Sequence, residues 1–194
     1  MKNRLVKNDN GFSLIELIVA ILIIAIISGG AIAAFGSIFS SQAESAARSV
    51  ADVLKQTRTL ALGKENKDNS GTTDVYAKFY YSNSLLNVDI CRSSDSNVLN
   101  SQQISGTPFK VKFFKVSGAT ETEVLTMEDT DVVKMYFKKS TGGVASIGRY
   151  DSAGALQDTL ETGVNKISVC RASDENNCKN LVLVEVTGRC YVDD

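Results

Sequence analysis

Glu16 stands at the head of a stretch that carries no other charge from Leu17 to Phe39. A carboxylate near the centre of a bilayer costs roughly 2.5–3.5 kcal/mol on insertion scales, so a plain membrane anchor gives no reason to keep it there. Near the end of a span it can reach the interface instead, which is the other reading of its position. The chain has no histidine. That removes Ser-His-Asp and Cys-His arrangements, the helical zinc-protease motif and the usual acid/base group of neutral pH. We therefore expect no enzyme, no cofactor and no metal.

Cys91, Cys170, Cys178 and Cys190 all follow the apolar segment, and none sits in a Cys-x-x-Cys pair. An even number beyond a membrane segment suggests disulfides, with three pairings open, and buried free thiols are the alternative. The run Gly142-Gly143-Val144-Ala145-Ser146-Ile147-Gly148-Arg149 lacks the Gly-Lys-Ser/Thr ending that places a lysine and a hydroxyl on nucleotide phosphates, so turns between short strands explain it better. Glu121, Glu123, Glu128, Asp129 and Asp131 have the oxygen ligands a hard cation takes but not the EF-hand spacing, and a solvated loop is the favoured reading.

The apolar run of residues 17–39 can cross the roughly 30 Å hydrocarbon core, which a helix of about 20 residues spans. It is too long for the hydrophobic region of an ordinary secretory signal. Lys2, Arg4 and Lys7 precede it. The positive-inside rule puts that end in the cytoplasm and everything after the run across the membrane.

Gly11-Phe12-Ser13-Leu14-Ile15-Glu16, between a charged leader and a long apolar run, resembles the processing site of type IV prepilins and type II secretion pseudopilins. The resemblance implies that a prepilin peptidase cuts between Gly11 and Phe12 and methylates Phe12, and that Glu16 serves assembly. Cleavage frees the Phe12 amine, and Glu16 of a neighbouring subunit neutralises it. Removing either partner leaves an uncompensated charge that costs several kcal/mol when truly buried. Gly29 and Gly30 fall inside the apolar run, where many pilins carry a proline. They either soften the helix or allow close packing through small residues.

Beyond Phe39, Ala43, Ala47, Val50, Leu54, Thr57 and Ala61 recur at spacings of four and three, and Glu44, Arg48, Asp52, Lys55 and Arg58 occupy other positions. That pattern predicts one nearly continuous helix over 13–62 with Gly63 as its stop. After a polar connection at 64–74, strands are predicted at 75–81, 85–91, 109–116, 132–137, 144–150, 166–171 and 181–187. The last two flank Ala172–Asn180 as an antiparallel hairpin. That reading brings Cys170 and Cys178 together and leaves Cys91 to meet Cys190.

The expected fold is α+β and pilin-like, a long N-terminal helix on an antiparallel sheet, as the resemblance implies. Its expected divisions are a leader at 1–11, a transmembrane and assembly helix at 12–39, an amphipathic continuation at 40–63 and an extracytoplasmic head at 64–194. A narrower resemblance to H-type minor pseudopilins rests on Arg48, Leu54, Arg58 and Ala61 and on Val186-Thr187-Gly188-Arg189. The partners implied are the prepilin peptidase, other pilin or pseudopilin subunits and the assembly platform of the membrane. The expected location is the cytoplasmic membrane and then a pilus or pseudopilus at the cell surface.

Some minor pilins related to the H type bind DNA. Here Gly188-Arg189 leads into Asp193 and Asp194, where phosphate contacts would need bases. Lys110, Lys112, Lys115, Lys138 and Lys139 are the basic clustering, and nucleic acid is not an expected partner. A monomeric membrane-anchored adhesin or sensor is the remaining alternative.

Overall fold

A computed structural model describes residues 13–63, 72–93, 97–160 and 163–193, except for the side chains of 29–37, 39, 72, 73, 160 and 176. Its architecture is α+β: helix α1 (Leu14–Gly63) followed by strands that all pair antiparallel. The chain divides into two units, Met1–Phe39 and Ser40–Asp194. Among the described residues no helix is long and apolar enough to cross a membrane, and the expected span at 12–39 includes side chains outside that set.

The second unit holds two sheets. The six-stranded one has the order β3 (Val98–Gln103), β2 (Leu85–Arg92), β1 (Thr72–Ser82), β6 (Val132–Lys138), β7 (Val144–Tyr150), β8 (Leu156–Leu160). The five-stranded one has the order β11 (Arg189–Val192), β10 (Asp174–Val184), β9 (Lys166–Arg171), β4 (Phe109–Ser117), β5 (Thr120–Thr126). Asn83 and Ser84 both adopt positive φ, 52° and 60°, between β1 and β2. Positive φ at both central residues is the mirror-type two-residue turn whose twist suits a hairpin.

Every residue expected on the buried face of the amphipathic helix is buried: Ala43, Ala47, Val50, Leu54, Thr57 and Ala61. Ala46, Ala51 and Val53 widen that face. Leu54 alone contributes about 1.5–3 kcal/mol by full burial. The Thr57 hydroxyl donates to Val53 O at 2.7 Å, so its burial leaves no orphan donor. One core joins this face to alternate residues of both sheets, Val75, Ala77 and Phe79 of β1 among them, with Phe109, Val111 and Phe113 of β4. Phe79 and Phe113 meet edge to face, their centroids 5.9 Å apart, across the two sheets.

The structure corrects three expectations. The head has two sheets rather than one. The seven predicted strands omit β3, β5, β8 and β11, each at the edge of its sheet. An edge strand buries little and needs no apolar alternation: Val98–Gln103 is mostly exposed, and Thr120–Glu123 is wholly so. Last, the expected loop at 172–180 is mostly strand, because β10 begins at Asp174.

Candidate assembly site and the chemistry of the head

Glu16 lies in the first turn of α1. Ser13 opens the helix, its carbonyl accepting from the N–H groups of Glu16 at 3.0 Å and Leu17 at 3.2 Å. Ser13 to Glu16 has the spacing of a capping box, a sequence signal for the helix start at this position. A carboxylate in the first turn is also favoured by the helix dipole. Glu16 is exposed, and so are the large apolar residues around it: Leu14 at 77%, Ile15 at 67%, Leu17 at 55%. Exposure continues through Ile18, Val19, Ile21, Leu22, Ile23, Ile24, Ile26 and Ile27. These positions cover the whole circumference of the helix. Gly11 and Phe12 lie outside the described residues. Gly29 and Gly30 fall within α1, and their surroundings also lie outside the described set.

In the head, Cys170 and Cys178 form a disulfide, and they are cross-strand partners of β9 and β10. The expected pairing of Cys91 with Cys190 is wrong, since both are free and buried. Cys91 is on β2 of the six-stranded sheet, beside Tyr76 and a surface cavity. Cys190 is on β11 of the five-stranded sheet, in the core near Lys55 and Asp52 of α1. Each thiol is pushed up in pKa, by burial first, and Cys190 reaches about 12. Both are therefore protonated, poor nucleophiles at neutral pH.

Lys110 and Lys112 of the basic clustering share one carboxylate. They reach the two oxygens of Glu175 at 2.9 and 3.0 Å. Lys166 of β9 holds Glu121 at 2.8 Å. Glu175 is held down at about 2, first by its hydrogen bonds to Lys110 and Lys112. The acidic cluster is no single loop: Glu121 and Glu123 lie on β5, and Asp131 is buried, accepting from Arg149 Nε at 3.0 Å and the Glu128 N–H at 2.9 Å. Among the described residues no group of acids, cysteines or histidines could hold a metal ion.

One constellation was not legible beforehand. Arg58 of α1 donates to Thr187 O at 2.5 Å. Val144 N–H donates to Glu185 O at 2.8 Å, joining β7 to the turn between β10 and β11. Here the glycines are needed for space: a Cβ on Gly143 would lie 2.4 Å from Val186 O. Gly188, at φ +63°, would place its Cβ 1.9 Å from Gly142 O. The two segments behind the narrower family resemblance thus touch at Arg58 and Thr187. The signal available was the glycine-rich run itself, whose reason is close backbone approach.

No curated protein and no solved structure matches the chain. Residues 6–32 match the family model described as the prokaryotic N-terminal methylation motif, so the chain carries, in that segment, the signature of type IV prepilins and pseudopilins.

Proposed function

We propose that this chain is a structural subunit, of the minor kind, of a type IV pilus or a type II secretion-like pseudopilus. The motif implies a membrane-anchored precursor that a prepilin peptidase processes and that polymerises with other pilins. In this reading residues 1–11 are the leader, and 12–39 serve first as membrane anchor and then as assembly helix. Residues 40–63 continue the helix into a head, 64–194, outside the cytoplasm. Phe12 becomes the methylated terminus, and Glu16 neutralises a neighbour's Phe12 amine.

The observation that carries the reading is the apolar surface around all of Leu14–Ile27, with Glu16 as its only charge. A helix hydrophobic all round is a helix that is buried somewhere. Within its own chain those side chains are exposed, so the cover comes first from lipid and later from the helices of other subunits. Four cysteines and an irregular head favour a minor subunit. The assembly platform is the further partner.

The test is intact mass and N-terminal analysis of the protein from cells with and without the prepilin peptidase. We expect peptidase-dependent loss of residues 1–11 and one methyl group on Phe12, with the leader retained in Gly11→Ala. An intact leader on the wild-type chain in peptidase-containing cells refutes the proposal.

A further inference from the structure

The six-stranded sheet turns Val75, Ala77 and Phe79 to the core, and so presents Tyr76, Lys78 and Tyr80 on its other face. Lys78 on β1 and Lys134 on β6 are directly opposed in register on that face. Like charges directly opposite on neighbouring strands destabilise a sheet. The register partner of Lys78 on its other side is Asp89, whose Oδ1 accepts from Ser101 Oγ at 2.6 Å and the Tyr80 hydroxyl at 3.4 Å. Among the described residues neither lysine has a carboxylate within ion-pair distance.

Aromatic rings hold the two ammonium groups instead. Lys134 Nζ lies 4.1 Å from the centroid of Tyr150 and 5.6 Å from that of Tyr76, and Lys78 Nζ lies 4.7 Å from Tyr80. Tyr76 itself packs against Tyr136, the rings tilted by 32° with centroids 4.9 Å apart. The pair borders an open cavity of about 220 Å³ that Tyr76, Cys91, Asp151 and Gly154 help to line. The carboxylate of that lining, Asp151, is engaged by its own loop, accepting from the Ala155 N–H at 2.8 Å and from Gln157 Nε2 at 2.9 Å. Lys134 is held below the usual lysine range, by burial first and then by Lys78. Cys91, pushed up by burial, adds no charge near neutral pH.

We propose that this cavity binds an acidic group, a carboxylate or a phosphate, seated between Lys78 and Lys134. Such a group replaces the repulsion of the two lysines with charge-assisted hydrogen bonds to both. The rings position the ammonium groups in advance, which lowers the ordering cost of binding. The cavity is below the range of drug-sized sites, so it accepts one acidic head rather than a polymer backbone.

The test titrates the full chain in neutral detergent, at constant ionic strength, with inorganic phosphate and with an acetylated, amidated peptide bearing one central glutamate. The glutamine peptide is the control. We expect saturable millimolar or tighter binding of an acidic probe, weakened about tenfold or more in Lys78→Gln and in Lys134→Gln, and unchanged in Lys110→Gln. Binding of phosphate assigns a free anion, and binding of the glutamate peptide alone assigns a side chain offered by a second protein. Equal binding by the lysine variants, equal binding of the glutamine peptide, or no saturation by either acidic probe at millimolar concentration overturns the site.

Discussion

Gly143→Ala probes the closure between the two sheets, because the atoms its Cβ would meet cannot swing aside. Val186 O would be 2.4 Å away, Glu185 O 2.6 Å and Val186 C 2.8 Å, all of them main chain. The 185–188 turn must then move bodily. Overpacking of this kind costs about 1–3 kcal/mol. Moving the turn also stretches the bond from Val144 N–H to Glu185 O, worth a further ~0.5–1.5 kcal/mol. The combined loss is about 1.5–4.5 kcal/mol, which for a unit of this size lowers the melting temperature by about 3–18 °C. All six tyrosines lie beyond residue 75, so near-ultraviolet circular dichroism of the full chain in detergent reports the head without the first part of α1. Gly106→Ala is the control: nothing lies within 4 Å of its added Cβ, and the change should stay within about 0.5 kcal/mol. If Gly143→Ala melts with Gly106→Ala, the turn is not clamped as described and the reasoning fails.

Replacing Cys170 and Cys178 together by alanine releases a bridge across a sequence separation of 8, for which chain entropy gives about 2.5 kcal/mol. Thiol counting in denaturant without reductant should find two reactive groups on the wild-type chain, Cys91 and Cys190, and a count of zero would contradict their free state. Glu16→Gln should leave leader removal intact yet reduce incorporation into filaments more than a hundredfold, since breaking a truly buried charge pair costs about 3–5 kcal/mol. Filament-associated and membrane-retained protein are compared by immunoblot, and normal incorporation would sink the assembly role of Glu16. The Glu175 carboxyl should titrate near 2 by nuclear magnetic resonance. Because its folded pKa is depressed, the stability it contributes is present above the ordinary carboxylate range and is lost as pH falls from there toward 2. Glu175→Gln should flatten that part of the acid profile, and an unchanged profile argues against the lysine pair as its cause.

The buried helix face was readable because helical periodicity is local: residues three and four apart share a face whatever the rest of the chain does. Ala43, Val50, Leu54 and Ala61 needed no partner to be recognised. The central strands were readable for a related reason, since Phe109-Lys110-Val111-Lys112-Phe113 writes its two faces into the sequence. The N-terminal methylation signature is more local still, contained within residues 6–32.

What pairs with what was decided by tertiary structure. Ser101-Gln102-Gln103 and Glu121-Thr122-Glu123 become strands because a neighbour offers free hydrogen-bonding groups, a circumstance their own composition does not record. Cys170 meets Cys178 through the β9–β10 register, while Cys91 and Cys190, the numerical remainder, are carried into different sheets. Gly143 and Gly188 read as turn residues in sequence, and only the approach of two distant backbones shows that each is there for want of a side chain. The opposition of Lys78 and Lys134 belongs with these: residues far apart in the chain acquire a shared chemistry when β1 lies down beside β6.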